Sequence, residues 1–201
     1  MRLSKLFAAC VLGFSANAFA TSFDSLDLFY VSGEAEVSPA GAASTSEDGN
    51  GYGVKFRGSV GEEFFFSGEY QSIEGEDTDG DYTEWRGGFG VPFVQVNALT
   101  AYGLVEYVNA EYENLGLETD GIAGHVGALY APTPWLSLYG QLGYMGLQDA
   151  DGIEYLVGGA IQLKPWVGVF AEYRVNDLEV SDADADLELK AIRAGIYLVV
   201  Q

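Results

Sequence analysis

The chain has one cysteine and one histidine in 201 residues, few prolines, and only nine basic residues against thirty acidic ones. Each scarcity removes a class of protein. Cys10 lies in the N-terminal apolar stretch, so a processed chain would carry neither a disulfide nor a reactive thiol. With one histidine and no other cysteine, zinc-type metal chemistry has too few ligands. The formal net charge of −21 repels nucleic acid. After residue 20 no apolar run is long enough for a membrane helix.

Residues 1–20 read as a secretory signal. Arg2 and Lys5 precede an apolar core from Leu6 to Phe14, and Ala18-Phe19-Ala20 forms a small-residue cleavage site. A lipoprotein signal ending at Cys10 is the rival reading, but the apolar run continues past that cysteine. Residues 21–201 then form one domain, with no Pro- or Ser-rich linker to divide it.

What remains is strongly patterned. Tyr52, Val54, Phe56 and Val60 alternate with Lys55, Arg57 and Ser59, and Phe64, Phe66 and Tyr70 alternate with Ser67, Glu69 and Gln71. Similar alternation sets Leu136, Leu138, Leu142 and Tyr144 against Ser137, Tyr139 and Gln141. Val167, Val169, Ala171 and Tyr173 oppose Phe170, Glu172 and Arg174, and Ile192, Ala194 and Ile196 oppose Arg193 and Tyr197. Phe29, Val31 and Leu104 break the rule by falling on the polar face.

Five of the seven basic residues after position 20 (Lys55, Arg57, Arg86, Arg174, Arg193) share the polar face with Asp27, Glu69, Glu84, Glu106 and Glu172. His125 projects to that face as well. A sheet that hides charge and shows aliphatic and aromatic side chains is built for lipid, where the backbone must close into a barrel. The expected fold is all-β, an up-and-down antiparallel transmembrane barrel of ten strands, or eight if a terminal hairpin is misread. Short turns are expected near Gly61-Glu62-Glu63, Val91-Pro92-Phe93, Pro132-Thr133-Pro134 and Lys164-Pro165. Long acidic loops are expected near 38–50, 73–82, 109–120, 146–153 and 176–187.

The motif Gly68-Glu69-Tyr70 recurs as Val105-Glu106-Tyr107, Leu142-Gly143-Tyr144 and Ala171-Glu172-Tyr173. Tyr70, Tyr107, Tyr144 and Tyr173 define one aromatic level; Phe93, Trp135 and Trp166 define a second at the short turns. The nine residues from Trp135 to Tyr144 span roughly 20 Å along a membrane normal for a strand tilted near 45°, close to the spacing of interfacial girdles.

The charged face is expected to be a packed lumen network of five cations and five carboxylates, with a narrow porin-like channel for small solutes or ions as the alternative. Opposite facing would make the chain a soluble exported barrel with a ligand inside. Asp77, Asp79 and Asp81, and likewise Asp182, Asp184 and Asp186, alternate carboxylates as calcium loops do, but Tyr82 stands where an EF-hand needs glycine. No cofactor is expected, and no enzyme. His125 lacks a nucleophile–base partner, since pairing across Pro132–Pro134 places Gln141 opposite it and Ser137 further toward the turn. The runs Gly87-Gly88-Phe89-Gly90 and Gly158-Gly159 lie within strands, where glycine admits bulky neighbours.

These features together resemble the small outer-membrane barrels of Gram-negative bacteria, the OmpA-like and OmpX-like group. Gly51-Tyr52-Gly53-Val54-Lys55 and Trp85-Arg86-Gly87-Gly88-Phe89-Gly90 are further similar to a family of exported barrels once proposed as quorum factors and elicitors of plant immunity. The resemblance implies an outer-membrane location, a non-enzymatic structural or surface role, and contact with lipid and lipopolysaccharide. It also implies handling by the barrel-assembly machinery during insertion. Such barrels usually end in an aromatic residue, whereas this chain ends Leu198-Val199-Val200-Gln201, so assembly is expected to be less efficient.

The alternation predicts that detergent-extracted protein migrates differently on gels before and after boiling. Full solubility without detergent would contradict the outward apolar face.

Overall fold

The computed structural model describes residues 24–39, 41, 43–76, 81–112, 117–180 and 185–200. The signal segment with Cys10, the carboxylates Asp77 and Asp79, and Asp182 and Asp184 lie outside these residues. Among the described residues the chain forms ten strands. They are β1 (Ser25–Pro39), β2 (Thr45–Val60), β3 (Phe64–Gly75), β4 (Asp81–Val96) and β5 (Leu99–Tyr112), followed by β6 (Leu117–Thr133), β7 (Leu136–Leu147), β8 (Ala150–Lys164), β9 (Val167–Val180) and β10 (Ala185–Val199). Each pairs antiparallel with its sequence neighbours, and β1 pairs with β10 to close the barrel. This is the all-β ten-strand meander that the alternation predicts.

Strands and connections differ from the expected boundaries. Val91-Pro92-Phe93 is no turn: β4 runs through it to Val96, with a register shift between Pro92 and Val94. Proline has no N–H for the ladder, so a bulge accommodates it without ending the strand. The turn falls instead at Asn97-Ala98, where Asn97 takes a left-handed φ of 53°; asparagine tolerates that region better than most side chains. Thr133 closes β6, after a shift between Tyr130 and Thr133, and the next two turns are Pro134-Trp135 and Pro165-Trp166. The shift moves the register, so His125 faces Gly143 and Gln141 faces Gly127.

The acidic segments are also mostly strand. The segment 146–153 reduces to the two residues Gln148 and Asp149 between β7 and β8, and β1 pairs with β2 as far as Val37↔Thr45. The physical reason is that the two faces exchange chemistry while the facing keeps its period of two. On the lower part of β10, Ile192, Ala194 and Ile196 face outward and Arg193 inward; higher up, Glu188 and Asp186 take the outward positions while Leu187 and Leu189 turn inside. β5 does the same, with Val105 and Tyr107 outside and Glu106 inside, then Glu111 outside with Val108, Ala110 and Tyr112 inside. β9 passes from Val169, Ala171 and Tyr173 outside to Asp177 and Glu179 outside, with Leu178 buried. The strands thus extend beyond the apolar band into water, where the outer surface turns acidic and the lumen turns apolar.

The upper lumen holds a buried cluster of Val108, Ala110, Tyr112, Ala123, Met145, Ala150, Leu178 and Leu187. Two smaller inner clusters contain the residues that broke the sequence rule: Phe29 and Val31 pack with Phe170, and Leu104 with Phe65 and Tyr102. Inward glycines make room for these rings. A Cβ on Gly90 would lie 2.2 Å from the Phe65 ring, and one on Gly158 would lie 2.6 Å from Tyr139.

Replacing Gly90 with Val should therefore destabilise the barrel by about 1–3 kcal/mol through overpacking against Phe65. Gly87→Ala should be near neutral, because nothing lies within 4 Å of the added methyl. Urea unfolding in lipid vesicles measures both.

Candidate functional site: an ion-paired layer across the lumen

The alternation of each strand delivers its charge to one level of the lumen. At the centre is Glu69 on β3, which meets three cations. Its Oε2 lies 3.2 Å from Lys55 Nζ, and Arg174 forks onto both oxygens at 2.8 and 3.1 Å. Arg193 Nη1 donates to Glu69 Oε1 at 2.9 Å and to Glu172 Oε1 at 3.3 Å, while its Nη2 donates to Gln71 Oε1 at 2.5 Å. The Arg193 guanidinium also stands 5.2 Å from the Phe29 ring centroid, so an aromatic face shields one side of it.

A second knot forms around Arg86 on β4. It donates to Glu84 Oε2 at 2.8 Å, and its Nη1 lies 2.6 Å from Glu154 Oε2 on β8. Tyr82 donates its hydroxyl proton to Glu84 Oε2 at 2.7 Å, and Gln71 donates to Glu84 Oε1 at 3.3 Å. Arg174 Nη1 reaches the same carboxylate at 3.5 Å, joining the two knots. Nearer the short turns, Arg57 pairs with Asp27 at 2.9 Å, and Tyr139 donates to Glu172 Oε2 at 3.1 Å.

Glu154, which is wholly buried, is the functional residue that the sequence reading missed. It lies one residue past the segment 146–153 expected to be loop, although Ile153, Tyr155 and Val157 alternate with it in a legible way. It changes the charge balance. At the level of the ion pairs, the described residues Asp27, Glu69, Glu84, Glu106, Glu154 and Glu172 are six inward carboxylates, against the five inward cations Lys55, Arg57, Arg86, Arg174 and Arg193, while Glu47 faces the lumen higher on β2. The expected five-to-five balance is therefore off by one. His125 sits at the imbalance, with Nε2 3.0 Å from Glu154 Oε1 and Nδ1 3.6 Å from Glu106 Oε2. Each ring nitrogen therefore has a carboxylate beside it.

Gly143 is the cross-strand neighbour of His125 on β7, and a Cβ there would lie 1.9 Å from the imidazole. Among the described residues no group of three or more His, Cys, Asp or Glu is arranged to hold a metal ion. Asp81, the one described member of the first calcium-like run, is exposed at the start of β4.

Outside, Phe93, Trp135 and Trp166 are exposed near the short-turn end, with Lys164 Nζ 5.6 Å from the Trp166 ring. Tyr70, Tyr107 and Tyr144 are exposed toward the other end, and Tyr173 is half-buried. Tyr30, Tyr52 and Trp85 extend that level, through a 5.5 Å Tyr30–Tyr52 contact and a 5.2 Å Trp85–Tyr107 contact. Tyr107 donates to Asp120 at 2.7 Å, and Tyr144 donates to Asp151. Each ring lies on the apolar band while its hydroxyl meets the acidic surface above, as interfacial aromatics do.

No protein-family model matches the chain, and no curated protein sequence matches it. Solved structures do. The outer-membrane protease OmpT from Escherichia coli superposes with a TM-score of 0.56 at 9% identity, covering 87% of this chain and 96% of that one. Neisserial surface protein A gives a TM-score of 0.42 at 13% identity, again covering 87% and 96%. The attachment invasion locus protein of Yersinia pestis gives 0.39 at 14% identity, covering 87% and 98%. The likeness is one of fold: the chain has the architecture of small outer-membrane barrels.

Substituting Arg86 with Met should cost about 3–5 kcal/mol, because Glu84 and Glu154 then remain buried without their shared cation. Glu84→Gln should cost less, since Arg86 keeps Glu154. Reversible unfolding of the two variants in vesicles ranks them, and equal losses would contradict the shared-cation geometry.

Proposed function

We propose that this protein is an outer-membrane barrel with a closed lumen and a structural or surface-interacting role, without catalysis. The observation that carries the reading is the layer of ion pairs spanning the lumen. Arg174 on β9 reaches Glu69 on β3, and Arg86 on β4 reaches Glu154 on β8; each link joins strands four places apart around a ring of ten. All four side chains are buried. A solute path at this level would have to break these buried charge pairs.

The acidic surface above the apolar band supports an outward orientation, with the short turns on the periplasmic side, as in barrels of this architecture. Lipopolysaccharide is itself anionic, so divalent cations would mediate its contact with Glu111, Asp177 and Glu179 on the exposed upper wall. The protease among the similar structures does not transfer its activity. This chain's single histidine is buried between two glutamates, which leaves no accessible imidazole for a surface hydrolytic site.

In planar bilayers the purified protein should be electrically silent. Stable, single-sized openings that disappear in Arg57→Ala or Glu84→Ala would overturn the closed-lumen reading in favour of a narrow channel. Heat-modifiable migration verifies that each variant has folded.

A further inference from the structure

Above the ion-paired layer the lumen is filled unevenly. Met145, Leu178 and Tyr112 pack the sector of β5 to β9, whereas β1, β2 and β3 present Gly33, Ala35, Gly49 and Gly75. Among the described residues this sector holds a cup of about 380 Å³, whose lining reaches Pro39, Thr45 and Asp81 at the strand ends away from the short turns. That is within the size range of small-molecule sites.

Its walls are apolar: Val37, Ile73, Leu187 and Leu189, with Tyr82 and Tyr112. Its floor is not. Arg174, Arg193, Gln71 and Asn176 close the bottom, and both arginines are buried. Their Nη atoms are committed to carboxylates and to Gln71, but the Nε–H of each has no acceptor. Each guanidinium thus keeps one N–H beyond its ion pairs, as Arg57 and Arg86 do elsewhere in the lumen.

Charge narrows the ligand class. Glu34, Glu47, Asp48 and Asp81 outnumber Lys190 around the cup in a chain of net charge −21, which disfavours an anion on approach. The guanidiniums below disfavour a cation at the bottom. We propose that the cup binds a small uncharged molecule with a largely apolar body and one hydrogen-bond acceptor, such as a carbonyl, entering from the outer face. The body lies against Leu187, Leu189 and Ile73, and the acceptor meets the guanidinium floor. The site ends at the ion pairs, so binding does not imply passage, and conductance and binding read out separately.

The test uses methyl-labelled protein in lipid nanodiscs, titrated with acetophenone and with ethylbenzene, which match in size but differ in the acceptor. Saturable shifts are expected at the Val37, Ile73, Leu187 and Leu189 methyls and not at the outward Ile122, Leu142 and Ile196. Acetophenone should bind about threefold to tenfold more tightly, the worth of one hydrogen bond. Ala35→Phe, which fills the cup, should abolish the saturable shifts. Thr45→Trp at the mouth is the second blocking variant should the first not fold. No saturation with either probe overturns the site, as do shifts shared with the outward methyls and indifferent to both substitutions. Equal affinity of the two probes overturns the role given to the floor.

Discussion

Lipid offers a peptide group no hydrogen-bond partner, and the structure follows from that constraint. A sheet with free edges cannot persist in the bilayer, so β1 must find β10 as well as β2, and the chain becomes a cylinder. Once closed, the wall has an interior that must be filled. The outward positions are claimed by aliphatic and aromatic residues, so the remaining alternate positions face one another across a confined space. Charges placed there are tolerable only in mutual contact. Glu69 with three cations, and Arg86 with two carboxylates, are the form that requirement takes.

The same logic explains why each strand inverts its pattern midway. Facing lipid, a strand needs apolar residues outside and can place polar ones within. Beyond the lipid the outer face meets water, and the interior becomes the place to bury apolar area. Leu187 and Leu189 therefore point inward on the strand whose Ile192 and Ile196 point outward: the facing alternates without a break, and the two faces exchange apolar for acidic residues. The tyrosines mark the crossing. Tyr107 and Tyr144 stand on the apolar side, and their hydroxyls bond to Asp120 and Asp151 on the acidic side.

This inversion also separates what was legible in the sequence from what was not. Strand number, facing and the positions of Lys55, Arg86, Glu172 and Arg193 follow from period-2 alternation, which is strong wherever one face meets lipid. The upper wall was read as loop because its apolar residues, such as Val37 and Leu178, change parity relative to the strand below, and the carboxylates between them look like solvated linkers. Glu154 was lost in that zone, although it is as buried as Arg193. The register of His125 depended on a bulge near Pro132, a local shift that alternation cannot reveal. Partners across the lumen, such as Arg174 with Glu69, are separated by 105 positions and belong to no local pattern.

Ten strands enclose a lumen that must be filled, narrower than the open channels of larger barrels. Long side chains resolve this: arginine and glutamate can reach across and meet, which no leucine pair could do from the same backbone positions. The charged layer is thus both the filler and the brace at its level. Above it, where apolar residues take over, the filling depends on their size. It succeeds beside Met145, Tyr112 and Leu178 and fails beside Gly33, Ala35 and Gly49. The cup lies where the apolar filling of the upper lumen is incomplete. Its polar floor is the upper surface of the same ion pairs that close the lumen beneath it.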